Sequence, residues 1–265
     1  FARFKKHANL HNFKIYCEVS SADEEAAYRF PDNFTNLKSE KGYLPEQIFN
    51  VDETSLFWKK MPARSYISKQ TEVMPGFKVA NNRLTIILGG NSAGDMKLKL
   101  LVVYRCRKPQ AFKNIHLDSL PVVWKCNSKA WVMRSIFTEW YSEYFIPEVK
   151  AYCAETDISF KVVVLLDNAP GHPVELDDMD PNVEVIFLPP STTALIQPMD
   201  QRRVFRHAIQ SIEDQTNLPL IEFWKQFNIL NAVEHIAEAW QEVKTETMSS
   251  CWKKINPVYF DDTFE

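Results

Sequence analysis

The sequence predicts an α/β domain in which one mixed sheet carries helices on its faces, and three features of the 265 residues point there. Short apolar runs rich in β-branched residues recur, two of them around a hairpin signal. A long segment with helical spacing falls between such runs. From Pro198 onward the pattern turns helical again. The order strand, hairpin, long helix, strand, strand, helix has its natural layer solution in a mixed sheet covered by helices. With 45% hydrophobic and 25% charged residues the composition is globular, and a chain of this length buries a sizeable core without disulfides.

The elements follow in order. Phe1 to Tyr16 interleaves Arg3, Lys5, Lys6 and Lys14 with Phe1, Phe4, Leu10 and Phe13, and reads as the end of a basic amphipathic helix. Ser21, with Glu24 three positions on, is an S-x-x-E signature that opens a second helix reaching about Leu37, closed off by Gly42 and Pro45. Gln47 to Asp52 reads as a strand. Asn82 to Leu88 and Lys97 to Tyr104 are β-rich runs on either side of a Gly89 to Asp95 loop. Ser128 is the expected N-cap of a helix from Lys129 to Cys153, with Val132, Ile136, Trp140 and Tyr144 on one row facing a sheet. Lys161 to Asp167 (KVVVLLD) has the fully buried character of a central strand. Val183 to Leu188 is a further strand, stopped by Pro189 and Pro190. Glu222 to Val243 is the clearest late helix.

Several classes are excluded or disfavoured. Apolar runs such as Val162 to Leu166 fall far short of the roughly 20 residues of a membrane span, so no membrane partner is expected. Cys17, Cys106, Cys126, Cys153 and Cys251 are scattered, with no C-x-x-C pair, which predicts a reducing compartment and no zinc cluster. His7 and His11, with Cys17 nearby, are more simply an i,i+4 pair on a helix than a metal site. The chain begins with Phe and shows no signal peptide, and reads as a piece of a longer protein.

The net charge of −3 hides a strong asymmetry. Between Trp58 and Ile115 stand twelve Lys or Arg and two acids, Glu72 and Asp95. Between Asp167 and Glu184 stand six acids and no Lys or Arg. The basic block is either a nucleic-acid face, with Lys97, Lys99, Arg105 and Arg107 as its contacts, or a well-solvated hairpin.

Three acids sit where chemistry can happen. Asp52 and Asp167 each end an apolar strand, the edge at which ligand crevices of α/β sheets form. Asp200 follows Gln197-Pro198-Met199, so Pro198 can take the first helical position and place Asp200 in the first turn. Taken singly, a strand-end Asp is usually a turn residue and a first-turn Asp usually complements the helix dipole. Glu53 competes with Asp52, since a strand can direct only one of the two at a given face. Asn168 and His172, on the loop after Asp167, could orient a metal-bound water or a phosphate, or form a turn with no direct role. Trp58, with Lys59 and Lys60 beside it, could stack on a DNA strand or join the core.

The runs IFNVDETSLFWKKMPARSYIS, LLDNAPGH and IFLPPSTTALIQPMDQ resemble the pogo/Tigger group of transposases and their domesticated relatives, the Tigger-derived proteins above all. The resemblance extends from RFKKHANLHNFKI to the final helices. It implies an RNase H-like fold that brings three acids together and places them on Asp52, Asp167 and Asp200, which favours Asp52 over Glu53. It implies two Mg²⁺ (or Mn²⁺) ions, one activating water and the other stabilising the leaving 3′-oxygen of a phosphodiester. The acids need such cations, because two carboxylates about 4 Å apart repel by roughly 4 kcal/mol at an effective dielectric of 20. It further implies a nuclear protein with DNA as partner, and leaves a homodimer open. Residues 1–46 would be the tail of an upstream helix-turn-helix unit of the centromere-protein-B type plus a linker helix. Arg3, Lys5 and Lys6 would then be phosphate contacts. Residues 47–216 would be the endonuclease domain and 217–265 a helical extension. The sequence departs from the family at one place: Gln201 runs at once into Arg202-Arg203-Val204-Phe205-Arg206, as though about three helical turns were absent. Two functions therefore stand side by side, a metal-dependent DNA endonuclease and strand transferase, and a DNA-binding protein with the fold kept and catalysis lost.

Overall fold

The computed structural model describes residues 22–58, 83–199 and 227–255. Its centre is a six-stranded mixed sheet. The strands are β1 (Ile48–Phe57), β2 (Arg83–Asn91), β3 (Leu101–Tyr104), β4 (Val123–Cys126), β5 (Val162–Leu166) and β6 (Val183–Phe187), in the order β4-β3-β2-β1-β5-β6. β2 runs antiparallel to its neighbours β1 and β3, while β4 is parallel to β3, and β5 and β6 are parallel to β1. This is a mixed parallel and antiparallel sheet flanked by helices, consistent with the RNase H-like class.

β1 outruns its apolar signal. Asp52 to Phe57 pair with Leu88 to Arg83 on β2, so polar residues stay in the strand because a ladder receives their backbone. β3 is shorter than expected, because at its start the Lys99 N–H is taken by the Glu148 carboxylate (3.0 Å). β4 has no counterpart in the sequence reading. Only four residues long, it is bounded closely by Pro121 and Asn127 and gives too little pattern to see.

Helix α1 (Glu24–Lys41) is capped two residues after the anticipated Ser21: the Asp23 side chain accepts from Ala26 N (3.0 Å). It ends at Gly42, whose φ of 69° is the left-handed stop that glycine permits. Its end is tied to β6, where Lys41 Nζ (2.6 Å) and Tyr43 Oη (2.7 Å) both donate to Glu184.

The long helix does not begin at Ser128. Asn127 Oδ1 accepts from Lys129 N and Trp131 N, and Ala130 has a φ of 52°, so the chain turns away from helical geometry. Helix α2 (Arg134–Trp140) follows, then a π turn (Tyr141–Phe145), then α3 (Ile146–Glu155). Pro147 explains the wide turn, since in a regular helix its ring would clash with the carbonyl of Glu143. The turn shifts the buried row, which becomes Phe137, Trp140, Tyr141, Phe145, Val149 and Cys153, and leaves Val132 and Tyr144 half-buried.

The two sheet faces carry separate cores. Phe49, Val51, Ile87, Val164 and Leu166 pack against α2 and α3. Ile48, Leu88, Leu165, Met199 and Trp252 share the opposite face with α1 and with α5 (Ile229–Glu242), which follows the short helix α4 (Thr193–Ile196). A last helix, α6 (Thr245–Ser250), lies over the β2–β3 loop: a Cβ on Gly94 would meet Thr245 O at 2.5 Å. The four described cysteines are free, and no described helix is long and apolar enough to cross a membrane.

Candidate active site

Asp52 lies within β1 and Asp167 one residue beyond the end of β5. The parallel register pairs Ile48 with Val163 and Asn50 with Leu165. Continued by two residues, it sets Asp52 beside Asp167. Pleating puts Asp52 on the face of Ile48 and Asn50, and Glu53 on the face of Phe49 and Val51. Met199, the residue before Asp200, lies on the Asp52 face. Asp200 itself lies outside the described residues, as do Arg3, Lys5, Lys6, His7, His11, Cys17, Lys59 and Lys60.

Asn50 joins the three motif segments, and the sequence reading passed over it. It is fully buried, donates from Nδ2 to Leu165 O (2.9 Å) on β5, and accepts at Oδ1 from Met199 N (2.9 Å). One side chain thus fixes β1, β5 and the approach to Asp200 relative to one another. The signal that could have found it is a polar residue on the same strand face as Ile48, at a position that must be buried.

Both strand aspartates already engage the protein. Asp52 Oδ1 accepts the N–H of Glu53 at 2.8 Å. His172 is buried, its ring tilted against Phe137 with centroids 4.2 Å apart, with Nδ1 2.7 Å from Asp167 Oδ1 and Nε2 3.3 Å from Glu53 Oε1. Nδ1 also lies 3.1 Å from the Asp167 carbonyl. The two carboxylate contacts are of ion-pair length but poorly aligned for hydrogen bonds, so Asp167 Oδ1, His172 Nε2 and Glu53 Oε1 are buried without a well-formed one. Burial pushes the imidazole toward the neutral form, but Asp167 and Glu53 outweigh it and hold His172 up at about 10. Glu53 therefore faces inward too, on the side opposite Met199, toward the imidazole. Asn168 is exposed.

Aspartate oxygens are donors that suit Mg²⁺ or Mn²⁺, so Asp52 and Asp167 are the described residues that would hold such an ion. Among the described residues no three His, Cys, Asp or Glu stand together as a ready metal site.

The anticipated DNA contacts divide. Lys97 Nζ donates to the carbonyls of Trp240 (3.1 Å), Gln241 (2.6 Å) and Val243 (2.8 Å), so it closes the C-terminal end of α5. Burial pushes its ammonium below the usual lysine range. Lys99 and Arg107 line an open groove of about 580 Å³ beside β4, together with Trp124 and Tyr144. Lys125, in the same groove, pairs with Glu139 at 2.7 Å. Arg105 is exposed, with its guanidinium 5.9 Å from the Tyr104 ring. Trp58 packs half-buried at the edge of the core and lies 6.1 Å from Phe227, in line with the core alternative.

Residues 81–252, roughly two thirds of the chain, match the model of the DDE superfamily endonuclease family. The chain belongs to that family. It is 35% identical over 260 residues to the human Jerky protein homolog, covering 96% of this chain and 45% of that protein. Human Tigger transposable element-derived protein 7 is 29% identical over 260 residues, covering 90% of this chain and 47% of that one. The chain thus spans about half the length of the curated relatives it matches. The crystal structure of the mariner Mos1 paired end complex with Mg has the same fold, with a TM-score of 0.50 at 14% identity over 95% of this chain and 67% of that one. The domain is thus a DDE-superfamily endonuclease domain, similar to Tigger transposable element-derived proteins in sequence and to the Mos1 mariner transposase in fold.

Proposed function

We propose that this DDE-family domain belongs to a transposable-element-derived nuclear protein that binds DNA, with metal-dependent cleavage lost. One observation carries the reading: each of the two strand aspartates already gives an oxygen to the protein, Asp52 to the Glu53 N–H and Asp167 to the imidazole that it shares with Glu53. A two-metal site needs those oxygens aimed at the ions, and catalysis tolerates misplacement of only about half an ångström. The sequence departure after Gln201, beside Asp200, supports the same reading, as does the element-derived relative. Asp52, Asp167 and Asp200 form the residual acid set, able to hold Mg²⁺ or Mn²⁺ weakly. That metal choice agrees with the Mg in the Mos1 complex. In this reading 47–216 is the endonuclease-like domain and 217–265 its helical extension. Residues 1–46 are the linker from an upstream reader, whose Arg3, Lys5 and Lys6 touch phosphates. The paired ends of the Mos1 complex suggest that the DNA-bound form is a homodimer.

The test is nicking of supercoiled DNA in Mn²⁺ by this chain and by its Asp52→Asn variant. The expected outcome is no cleavage above background in either. Robust cleavage that vanishes in the variant would establish the second reading, a working endonuclease, which the intact Asp52, Asp167 and Asp200 favour.

A further inference from the structure

A half-exposed tryptophan stands on the sheet face of Glu53, opposite the face of Asp52, with a role in neither the core nor the acid site. Trp131 is 51% exposed, and the exposed Met133 lies two residues on. The Arg83 guanidinium lies 5.4 Å and the Lys129 ammonium 5.8 Å from its ring, both within cation–π range. Among the described residues neither cation pairs with an acid, and Arg83 Nε is buried without a hydrogen-bond partner.

The platform is held in place from three sides. Asn127 accepts from the N–H groups of Lys129 and Trp131 and donates to the Trp131 carbonyl. Thr85 Oγ1 donates to Ala130 O (2.6 Å), so β2 anchors the loop from beneath. On the far side a Cβ at Gly171 would stand 3.6 Å from Val132 O and 3.7 Å from Glu53 Oε1, so one glycine separates this loop from the Glu53–His172 contact. Arg83, Thr85 and Ile87 alternate onto one sheet face, and Glu53 pairs with Ile87 on that face. At ~3.3 Å per residue, Arg83 lies about 13 Å along the strand from that pair.

An aromatic ring half open to solvent, flanked by two cations and fixed by a stapled loop, is the arrangement that stacks an unpaired base while the cations meet its phosphates. A duplex has no base face to offer it. We infer that Trp131, with Arg83 and Lys129, forms a stacking platform for unpaired nucleotides of a DNA strand on the Glu53 face of the sheet. The inference rests on the DNA-binding reading and adds the strand form that is recognised.

Fluorescence anisotropy with this chain separates the two. The probes are oligothymidylate, an abasic strand of the same length, and a duplex, each with wild type, Trp131→Ala and Trp131→Phe. Trp131→Ala is expected to lose on the order of tenfold in affinity for oligothymidylate, with Trp131→Phe retaining most of it. Neither variant should change affinity for the abasic strand or the duplex. An unchanged oligothymidylate affinity, or an equal loss on all three probes, overturns the platform and leaves the DNA-binding reading standing if wild type binds duplex. Wild type that binds none of the probes overturns both.

Discussion

At the scale of single residues the site depends on a side chain that carries no charge. Asn50 links β1, β5 and the Met199 segment through its side chain, outside the backbone ladder. Asn50→Ala would leave a buried amide at Met199 unpaired, at about 1–3 kcal/mol, and would remove the side-chain bond that the Leu165 carbonyl accepts beside its ladder bond. Urea denaturation should therefore show a loss of about 1–3 kcal/mol. Asn50→Asp keeps the size and the acceptor but cannot donate to Leu165, so it should be destabilised as well; a variant as stable as wild type would remove Asn50 from the site's framework. The two strand aspartates were legible because each ends an apolar run. The inward turn of Glu53 was not, since its partner His172 lies on another strand's loop and only the finished sheet brings them together. Asp52 and Glu53 presented themselves as rivals for one face, and the structure gives each a face of its own.

At the scale of elements the strands were the most readable part, because burial on both faces of β5 writes itself as an unbroken apolar run. Ends were less readable. The Ser128 cap lost to Asn127, whose carboxamide folds the backbone locally before a helix can start. Lys97 shows the same limit at long range: in the sequence it belongs to a basic run, whereas its acceptors lie 143 and more positions further on, at the end of α5. An ammonium there satisfies carbonyls that the helix leaves unpaired and sits at the negative end of its dipole. Lys97→Met should destabilise the chain by about 1–3 kcal/mol, read as a lowered Tm, with hydrogen exchange accelerated first in α5 and α6. Lys99→Met, whose ammonium is exposed, should leave Tm nearly unchanged. Equal Tm for wild type and Lys97→Met would return Lys97 to the set of free cations.

At the scale of the whole molecule the charge asymmetry has two different meanings. Most of the acids between Asp167 and Glu184 serve the fold: Glu175 pairs with Arg134, Asp177 accepts Val185 N, Asp180 holds Asn182, and Glu184 anchors Lys41 and Tyr43. They are not a patch awaiting a partner. The basic block behaves otherwise, because Lys99, Arg105 and Arg107 are exposed and two of them line the groove beside β4, while Lys97 is committed to α5. Each phosphate contact releases counterions and steepens the log–log salt dependence of duplex affinity by about 0.9. Replacing Lys99, Arg105 and Arg107 together by Gln should therefore flatten that slope by up to about 2.7. Lys97→Gln alone should leave the slope as it is, whatever it does to Tm, since an ammonium held by three carbonyls has no N–H left for a phosphate. Affinities measured from low to moderate salt decide the matter. A triple variant with an unaltered slope would make the groove a solvated face, and a slope that falls with Lys97→Gln would place the DNA path over the end of α5 instead.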